Sequence, residues 1–285
     1  MKFTLMSYHY LRYPIRKYLD KVERSPLDGL DIYCTAPQLN PFDYKLGDLI
    51  QLNRDILDRH LTPYVLTAEN CAYPVNFATS NPITWNSTLQ YYQRLVDTAA
   101  FLDFPHIQVC PGSSYFDDDA EAGWARQVEA FQLLTEYAKR KGVTIFLETC
   151  KETTTNLIVT SKQLNRFITD VGADNLMGLS DTDQMALAGE NINDYMDHLG
   201  DRYGFVHFSD AGHTIPGTGG LPMKEYYDTL VSRGYEGWCS CELCDREYFP
   251  DPDKATDAYV EYIKNVGGIN DEIHSYDITL LKIQP

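Results

Sequence analysis

Residues 141–150 read KGVTIFLETC, an apolar run that ends on a carboxylate. Val143 and residues 145–147 are typical of a strand that is buried on both faces, and Glu148 stands where that strand should end. Burying an unpaired charge is costly, so a carboxylate at the end of a buried strand needs a partner. Three later apolar runs end in the same way, and this repetition points to a shared site.

Short apolar runs alternate with amphipathic stretches along the chain. The runs span residues 2–8, 29–35, 62–68, 106–110, 143–150, 175–181, 203–210 and 237–243. Between them, apolar residues recur at helical spacing, as in residues 43–61, which predicts one helix in each of the seven connections and an eighth helix at about 253–265. Strict alternation over eight units predicts a parallel sheet closed into a (β/α)8 TIM barrel. An open doubly wound sheet is the competitor, but SYHYLRYP at 7–14 replaces its Gly-rich phosphate loop.

The domain organisation is expected to be simple. No Pro/Gly-rich linker divides the chain, which predicts one barrel domain over residues 1–268. Residues 269–285 then form a C-terminal tail to which the sequence assigns no role.

Composition narrows the classes of partner. The chain has 41 acidic and 24 basic residues and a net charge of −17, which argues against nucleic acid but not against a neutral sugar. No apolar stretch approaches the roughly 20 residues that span a bilayer, so no membrane partner is expected. The start of the chain is polar too early for a signal peptide, and the seven cysteines suit reduced, buried thiols. A cytoplasmic location is therefore expected.

The carboxyl ends of TIM-barrel strands face one common site. Four ligand-type residues stand at the ends of the fifth to eighth runs: Glu148, Asp181, His207 and Glu242. Singly, an acid at a strand end often caps a helix or pairs with a lysine, and a histidine is often a core residue. Four on successive strands favour one divalent cation, with Mn²⁺ expected from the mainly oxygen donors and Mg²⁺, Co²⁺ and Zn²⁺ as alternatives.

These motifs resemble those of a known family. The E…D…H…E set, with HFSD at 207–210 and IPGTGGLPMKEYYDTLVSRGYEGWCSCEL at 215–243, is similar to the xylose-isomerase-like TIM barrels. That family includes ketose 3-epimerases, hydroxypyruvate isomerase and endonuclease IV. The resemblance covers about residues 1–266 and is strongest to the ketose 3-epimerases, also in AENCAYPVN at 68–76.

The resemblance implies a specific activity. It implies an isomerase that inverts C3 of a ketose or fructosamine through a cis-enediolate, with a small sugar as substrate. Glu148 and Glu242 would be metal ligands and also the acid/base pair. The family usually associates, and 21 Tyr and 12 Phe agree with a homo-oligomer, a dimer or tetramer.

The resemblance also marks positions that would contact the sugar. Gln184 stands where many free-ketose 3-epimerases carry a His, His213 where they carry an Arg, and Thr154 where a second Glu is expected. These departures put the identity of the sugar in doubt and leave the metal chemistry intact. The candidate substrate contacts are His213, Glu152, His9 at the end of the first strand and Glu69 at the end of the third, although each also fits a loop role.

Other functions remain open on sequence alone. A metal-dependent dehydratase, acting on an inosose or related polyol, would share the barrel and the proton abstraction. An endonuclease IV-like phosphodiesterase would need a three-zinc cluster with several more histidines than the strand ends supply. A non-catalytic sugar-binding barrel would have no use for paired glutamates at a metal. The sequence contains no Gly-rich loop or Arg/Lys cluster that would indicate a phosphate-binding site at the barrel mouth, which favours an unphosphorylated sugar.

Overall fold

All eight predicted strands are present in the structure, a computed structural model that describes residues 1–68 and 75–269. They are β1 (Lys2–Leu5), β2 (Leu30–Cys34), β3 (Pro63–Ala68), β4 (His106–Val109), β5 (Thr144–Glu148), β6 (Leu176–Asp181), β7 (Tyr203–His207) and β8 (Trp238–Cys241). They form one parallel sheet in the order β1-β8-β7-β6-β5-β4-β3-β2. The predicted runs were longer than the strands because several apolar runs continue into buried loops.

Helices occupy the connections between these strands. The α-helices of the described ranges are α1 (Ile15–Glu23), α2 (Leu46–Asp58), α3 (Pro82–Phe101), α4 (Ala120–Arg140), α5 (Ser161–Val171), α6 (Thr182–Leu187), α7 (Ile192–Leu199), α8 (Met223–Ser232) and α9 (Pro252–Asn265). The eighth predicted helix, at about 253–265, is α9. The prediction of a single helix between β6 and β7 was wrong, because Gly189 adopts a left-handed φ of 73° and separates α6 from α7.

The sheet curls into a nearly closed barrel. β1 pairs with β8 over its full length, from Lys2–Trp238 to Leu5–Cys241. Between β1 and β2, the described part of the chain shows one isolated bridge, from Met6 to Asp31. The predicted single-domain TIM barrel is confirmed, whereas the boundary at residue 268 stays a prediction since residues 270–285 lie outside the described ranges.

Aromatic rings fill the amino-terminal half of the barrel. The rings of Tyr64 on β3, Phe146 on β5 and Phe205 on β7 lie within 5.3–6.2 Å of one another, centroid to centroid. These three strands are not neighbours in the sheet, so their rings meet inside the barrel rather than on its surface. Leu179 and Trp238 pack against the same cluster. The barrel is therefore plugged from below, and space remains at its carboxyl end.

The two-residue alternation of a strand then fixes where the polar residues lie. Glu148 follows Phe146 by two positions and His207 follows Phe205 by two, so each shares the inward face of its strand. Asp181 follows Leu179 in the same way on β6. The aromatic plug thus places this layer of ligand-type side chains directly above it, at the mouth of the barrel.

Helix packing covers the outer face of the barrel. Phe131 of α4 contacts Phe167 of α5 edge to face, with centroids 5.1 Å apart, within the large core between strands and helices. Within the described ranges, no helix combines the length and apolar character that a membrane crossing requires.

Candidate metal centre

The four residues predicted as ligands converge at the mouth of the barrel. One ligand atom from each of Glu148, Asp181, His207 and Glu242 lies within 4.8 Å of the others. The Nδ1 atom of His207 lies 2.9 Å from Glu242 Oε2 and 3.4 Å from Glu148 Oε1. Carboxylates from β5 and from the residue after β8 therefore approach the same ring nitrogen.

Buried polar atoms in this cluster lack hydrogen bonds. Among the described residues, Asp181 Oδ2 and both ring nitrogens of His207 have no partner in hydrogen-bonding geometry, although both side chains are fully buried. Such atoms are rare in folded proteins, because an unmet polar group loses its hydration without compensation. A cation among the four residues would satisfy Asp181 Oδ2 and His207 Nδ1, so the donor set fits a divalent metal ion.

The charge balance also calls for a cation. Burial lowers the pKa of His207, but the negative charge of Glu148 and Glu242 raises it well above its usual value. Burial also lowers the pKa of His213, but the negative charges of Asp181 and Glu242 outweigh this effect and raise the pKa to about 10. The carboxylates around the two imidazoles therefore favour positive charge at this position, which a bound cation would also supply.

The two glutamates have different surroundings. Burial raises the pKa of Glu148, and the opposing attraction of His207 does not cancel that effect. Burial also raises the pKa of Glu242, but the positive charges of His213 and His207 outweigh it and bring the pKa to about 2. Glu148 additionally accepts a hydrogen bond from Gln108 Nε2 at 2.5 Å.

A further acid stands behind His207 that the sequence prediction did not single out. Asp31 on β2 is fully buried, and its Oδ2 lies 3.9 Å from His207 Nε2. Thr67 and Ser240 each donate a hydroxyl hydrogen bond to the Asp31 carboxylate at 2.6 Å. Asp31 thus places a further carboxylate behind the His207 ring, beyond hydrogen-bonding distance of Nε2. The signal was available, since an acid inside the buried run GLDIYCT is the same anomaly as Glu148.

The loop after β7 brings His213 to the cluster. Buried Asp210 accepts backbone hydrogen bonds from Ala211, Gly217 and Leu221, which ties the loop together. His213 Nε2 then lies 3.5 Å from Asp181 Oδ2, and its Nδ1 lies 3.4 Å from Asp183 Oδ2. Asp183 was also missed by the sequence prediction, because it lies past the strand end, in the first turn of α6.

A cavity of about 300 Å³ opens above the four residues. Its walls include Tyr8, Tyr33, Thr67, Gln108, Cys110, Cys150, Lys151, Thr154, Gln184, His213 and Cys244, besides Glu148, His207 and Glu242. Gln184 and Thr154 thus lie at the cavity, as their place in the family pattern implied.

The other predicted substrate contacts do not gather here. Glu152 is exposed and is absent from the cavity wall. His9 is fully buried away from it, with Nε2 at 3.2 Å from Thr256 Oγ1 of α9. Glu69 lies outside the described residues.

The chain is similar to several known epimerases. It is 24% identical to fructoselysine 3-epimerase from Escherichia coli O157:H7, over 85% of this chain and 90% of that protein. It is 24% identical to D-psicose 3-epimerase from Enterocloster bolteae, over 78% of this chain and 74% of that one. The solved structure of D-allulose 3-epimerase from Methylomonas sp. in complex with D-allulose superposes with a TM-score of 0.81 at 19% identity, covering 93% and 96% of the two chains.

A family model supports the same grouping over most of the chain. The model described as xylose isomerase-like TIM barrel matches residues 19–266, which include all four clustered ligand-type residues. With the barrel and its mouth as described, this chain belongs to the xylose isomerase-like TIM barrel family.

Proposed function

We propose that this protein is a divalent-metal-dependent sugar epimerase, an isomerase that inverts C3 of a ketose or fructosamine. The observation that carries the proposal is the convergence of Glu148 and Glu242 on one nitrogen of His207, at the floor of a cavity. The relatives named above as fructoselysine and D-psicose 3-epimerases supply the substrate class.

The metal would be held by Glu148, Asp181, His207 and Glu242. Asp181 Oδ2 and His207 Nδ1 support this assignment, because both are buried and neither makes a hydrogen bond among the described residues. Mn²⁺ is expected from the three carboxylate donors, with Mg²⁺, Co²⁺ and Zn²⁺ as alternatives. When bound, such a cation supplies a Lewis acid that offsets negative charge developing on the ketose oxygens.

The two glutamates would carry the proton. One carboxylate removes the C3 proton of the ketose, and the other returns a proton to the opposite face of the cis-enediolate, so the configuration inverts. Glu148 comes from β5 and Glu242 follows β8, with β6 and β7 between them. This separation around the barrel wall suits attack from two sides. The hydrogen bond from Gln108 holds the Glu148 carboxylate in place.

The remaining cavity wall would select the sugar. Gln184 and Thr154 offer neutral hydrogen-bonding groups, which suit hydroxyl groups. His213 would contact the substrate, while Glu152 and Glu69 stay candidates from sequence. His9 fits a structural role better, given its burial against α9.

The alternatives have less support. The relatives named as 3-epimerases align over most of the chain, which favours inversion over dehydration. The phosphodiesterase reading needs more histidine ligands, and within the described ranges His207 and His213 are the histidines that reach the cluster. A neutral sugar also suits the net charge of −17 better than DNA does.

Proton exchange at C3 tests the proposal directly. The Mn²⁺-loaded protein is incubated in D₂O with ketoses, Amadori-type fructosamines and an inosose, and NMR follows deuterium uptake and the C3 epimer. We expect exchange and inversion with a ketose or fructosamine, and neither in metal-stripped protein. Loss of water from the inosose instead, or no exchange with any of the sugars, would reject the proposal.

A further inference from the structure

Thiols surround the candidate metal centre, and the proposed epimerase mechanism uses none of them. Cys110 Sγ donates a hydrogen bond to Glu148 Oε2 at 3.3 Å, and Cys244 Sγ donates one to Glu242 Oε1 at 3.3 Å. Cys150 lies beside Cys110, and one ligand atom from each of Cys110, Glu148 and Cys150 lies within 4.8 Å of the other two. Cys110, Glu148 and Cys150 are called the dithiol cluster below.

We propose that the dithiol cluster is a second metal site, specific for a thiophilic divalent cation such as Zn²⁺ or Cd²⁺. Glu148 is shared between the two sites, because its two oxygens face different ways. Oε1 lies 3.4 Å from His207 Nδ1, whereas Oε2 lies 3.3 Å from Cys110 Sγ. Thiolates select soft cations, so this site differs in preference from the oxygen-rich one beside it.

The spacing of the dithiol cluster fits such an ion. Zinc binds thiolate sulfur at about 2.3 Å and carboxylate oxygen at about 2.0–2.2 Å, so tetrahedral ligand atoms are roughly 3.5–3.8 Å apart. The three ligand atoms are already within 4.8 Å of one another, and Cys110 Sγ and Glu148 Oε2 are 3.3 Å apart. Binding releases the two thiol protons to solvent, since the thiolate is the ligand.

Gln108 provides independent support. Its side chain is 1% exposed, and its Oε1 has no hydrogen-bond partner among the described residues. Its Nε2 donates to Glu148 Oε2 at 2.5 Å and to Cys110 Sγ at 3.5 Å. Turning the amide by half a rotation exchanges oxygen and nitrogen. The amide oxygen of Gln108 then faces the Cys110 sulfur and the Glu148 carboxylate. A cation bound between these two groups would favour this orientation, and the amide oxygen would be its fourth ligand.

The site has a consequence for the neighbouring centre. A cation held by Cys110 and Cys150 would engage Glu148 Oε2 and would change the charge on the same carboxylate that faces His207. A cation in the dithiol cluster is therefore expected to change the metal affinity of the first site, without any change of fold.

Cadmium titration tests this inference. Reduced, metal-stripped protein is titrated with CdCl₂, and the ultraviolet sulfur-to-cadmium charge-transfer absorbance reports thiolate ligation. We expect the band to saturate at one equivalent of thiolate-bound Cd²⁺. C110S and C150S should each weaken that binding by at least about tenfold, on the scale of losses seen when groups that support a metal are removed. C244S is the matched control from the same cavity and should keep the band.

A second variant separates this site from the first. D181N removes a ligand of the oxygen-rich site only, so the charge-transfer band should persist in it whether or not the protein is an epimerase. Circular dichroism confirms folding, and C110A repeats the test at position 110 with a different replacement. A wild-type protein without the band, a band that survives in C110S and C150S, or a band lost in C244S or D181N would each overturn the inference.

Discussion

Glu148, Glu242 and Asp181 lie in one cluster, but the proposed mechanism gives the two glutamates a second task. Glu148→Gln and Glu242→Gln keep the side-chain size and remove the group that moves the proton. Because acid–base catalysis typically contributes about 10²–10⁴-fold, each variant should lose at least about 10² in turnover with Mn²⁺ still measurable by equilibrium dialysis.

Asp181→Asn is the matched comparison for these variants. The amide oxygen can still cap α6, where Asp181 Oδ1 accepts from the Gln184 backbone N–H at 2.8 Å. The loss of the Asp181 carboxylate should therefore lower the affinity for the metal, and excess Mn²⁺ should restore part of the turnover. Near-normal epimerisation by both glutamine variants with metal bound would show that the two-base mechanism is wrong.

His106 gives a prediction about acid stability at a distance from the metal centre. Burial lowers the pKa of His106 to about 4, and a hydrogen bond with the Tyr64 carbonyl offsets only part of that effect. Above the unfolded-state pKa of about 6.5, both states are neutral. Between about 6.5 and 4 the unfolded chain takes up the proton and the folded chain does not, so stability falls as the pH falls.

Denaturant unfolding from pH 7 to 4.5 measures this contribution. His106→Gln should flatten the acid slope by up to about 1 kcal/mol per pH unit relative to wild type. Equal slopes in wild type and His106→Gln would contradict the buried neutral histidine.

Site residues were predictable where geometry depends on the strand alone. Glu148, Asp181 and His207 end strands, and the carboxyl ends of barrel strands face one site whatever surrounds them. His9 was different, because it lies in a short 3₁₀ turn after β1 and its ring direction depends on contacts with α9. Such long-range contacts leave no mark in a local pattern. The sequence also contained no indication that Gln108 lies at the cluster, because it is a single polar residue in a short apolar run.

At the scale of elements, the packing of β6 against two helices gives a testable prediction. A Cβ added at Gly178 would lie 2.7 Å from Leu199 Cδ1 on α7 and 3.0 Å from Leu164 Cδ2 on α5. Gly178→Ala should therefore lower the free energy of unfolding by about 1–3 kcal/mol through overpacking. Denaturant unfolding measures the change.

Gly47→Ala is the control for that variant. Gly47 lies in the first turn of α2 and has no atom within 4 Å of the added Cβ. It should be neutral or more stable by roughly a few tenths of a kcal/mol, because alanine restricts the unfolded chain. A Gly178→Ala protein as stable as Gly47→Ala would refute the close packing of α5 and α7 on β6.

Local sequence patterns predict which helices and strands are present better than they predict where each one ends. Apolar runs and helical spacing are properties of short segments, and they located every strand and the helix at 252–265. The break between α6 and α7 depends on one residue, Gly189, inside a stretch that otherwise continues the helical pattern. The exact end of β8 was also misplaced, since Glu242 follows the strand. A strand ends where its hydrogen bonds to the neighbouring strand end, and the sequence of the run alone does not show where that is.

At the scale of the whole molecule, the predicted homo-oligomer is still to be measured. Several large apolar side chains are exposed on the described surface, including Leu46 and Leu57 of α2 and Ile83 of α3. An interface between copies of the chain would cover such side chains. We expect multi-angle light scattering at micromolar concentration to give the mass of a dimer or tetramer of the 32.6 kDa chain. A monomer mass across that range would overturn this prediction.

The pairing of β1 with β8 also sets the order of events during synthesis. Trp238, the ladder partner of Lys2, follows it by 236 positions, so β1 leaves the ribosome on the order of 10 to 50 s before β8 can meet it. Glu242 emerges after β8, close to the end of the chain. Until β8 emerges, a nascent chain therefore carries a sheet with two unpaired edges, and it lacks Glu242, the last residue of the candidate ligand set. On the proposed metal assignment, metal binding by all four residues is expected to follow the closure of β8 on β1.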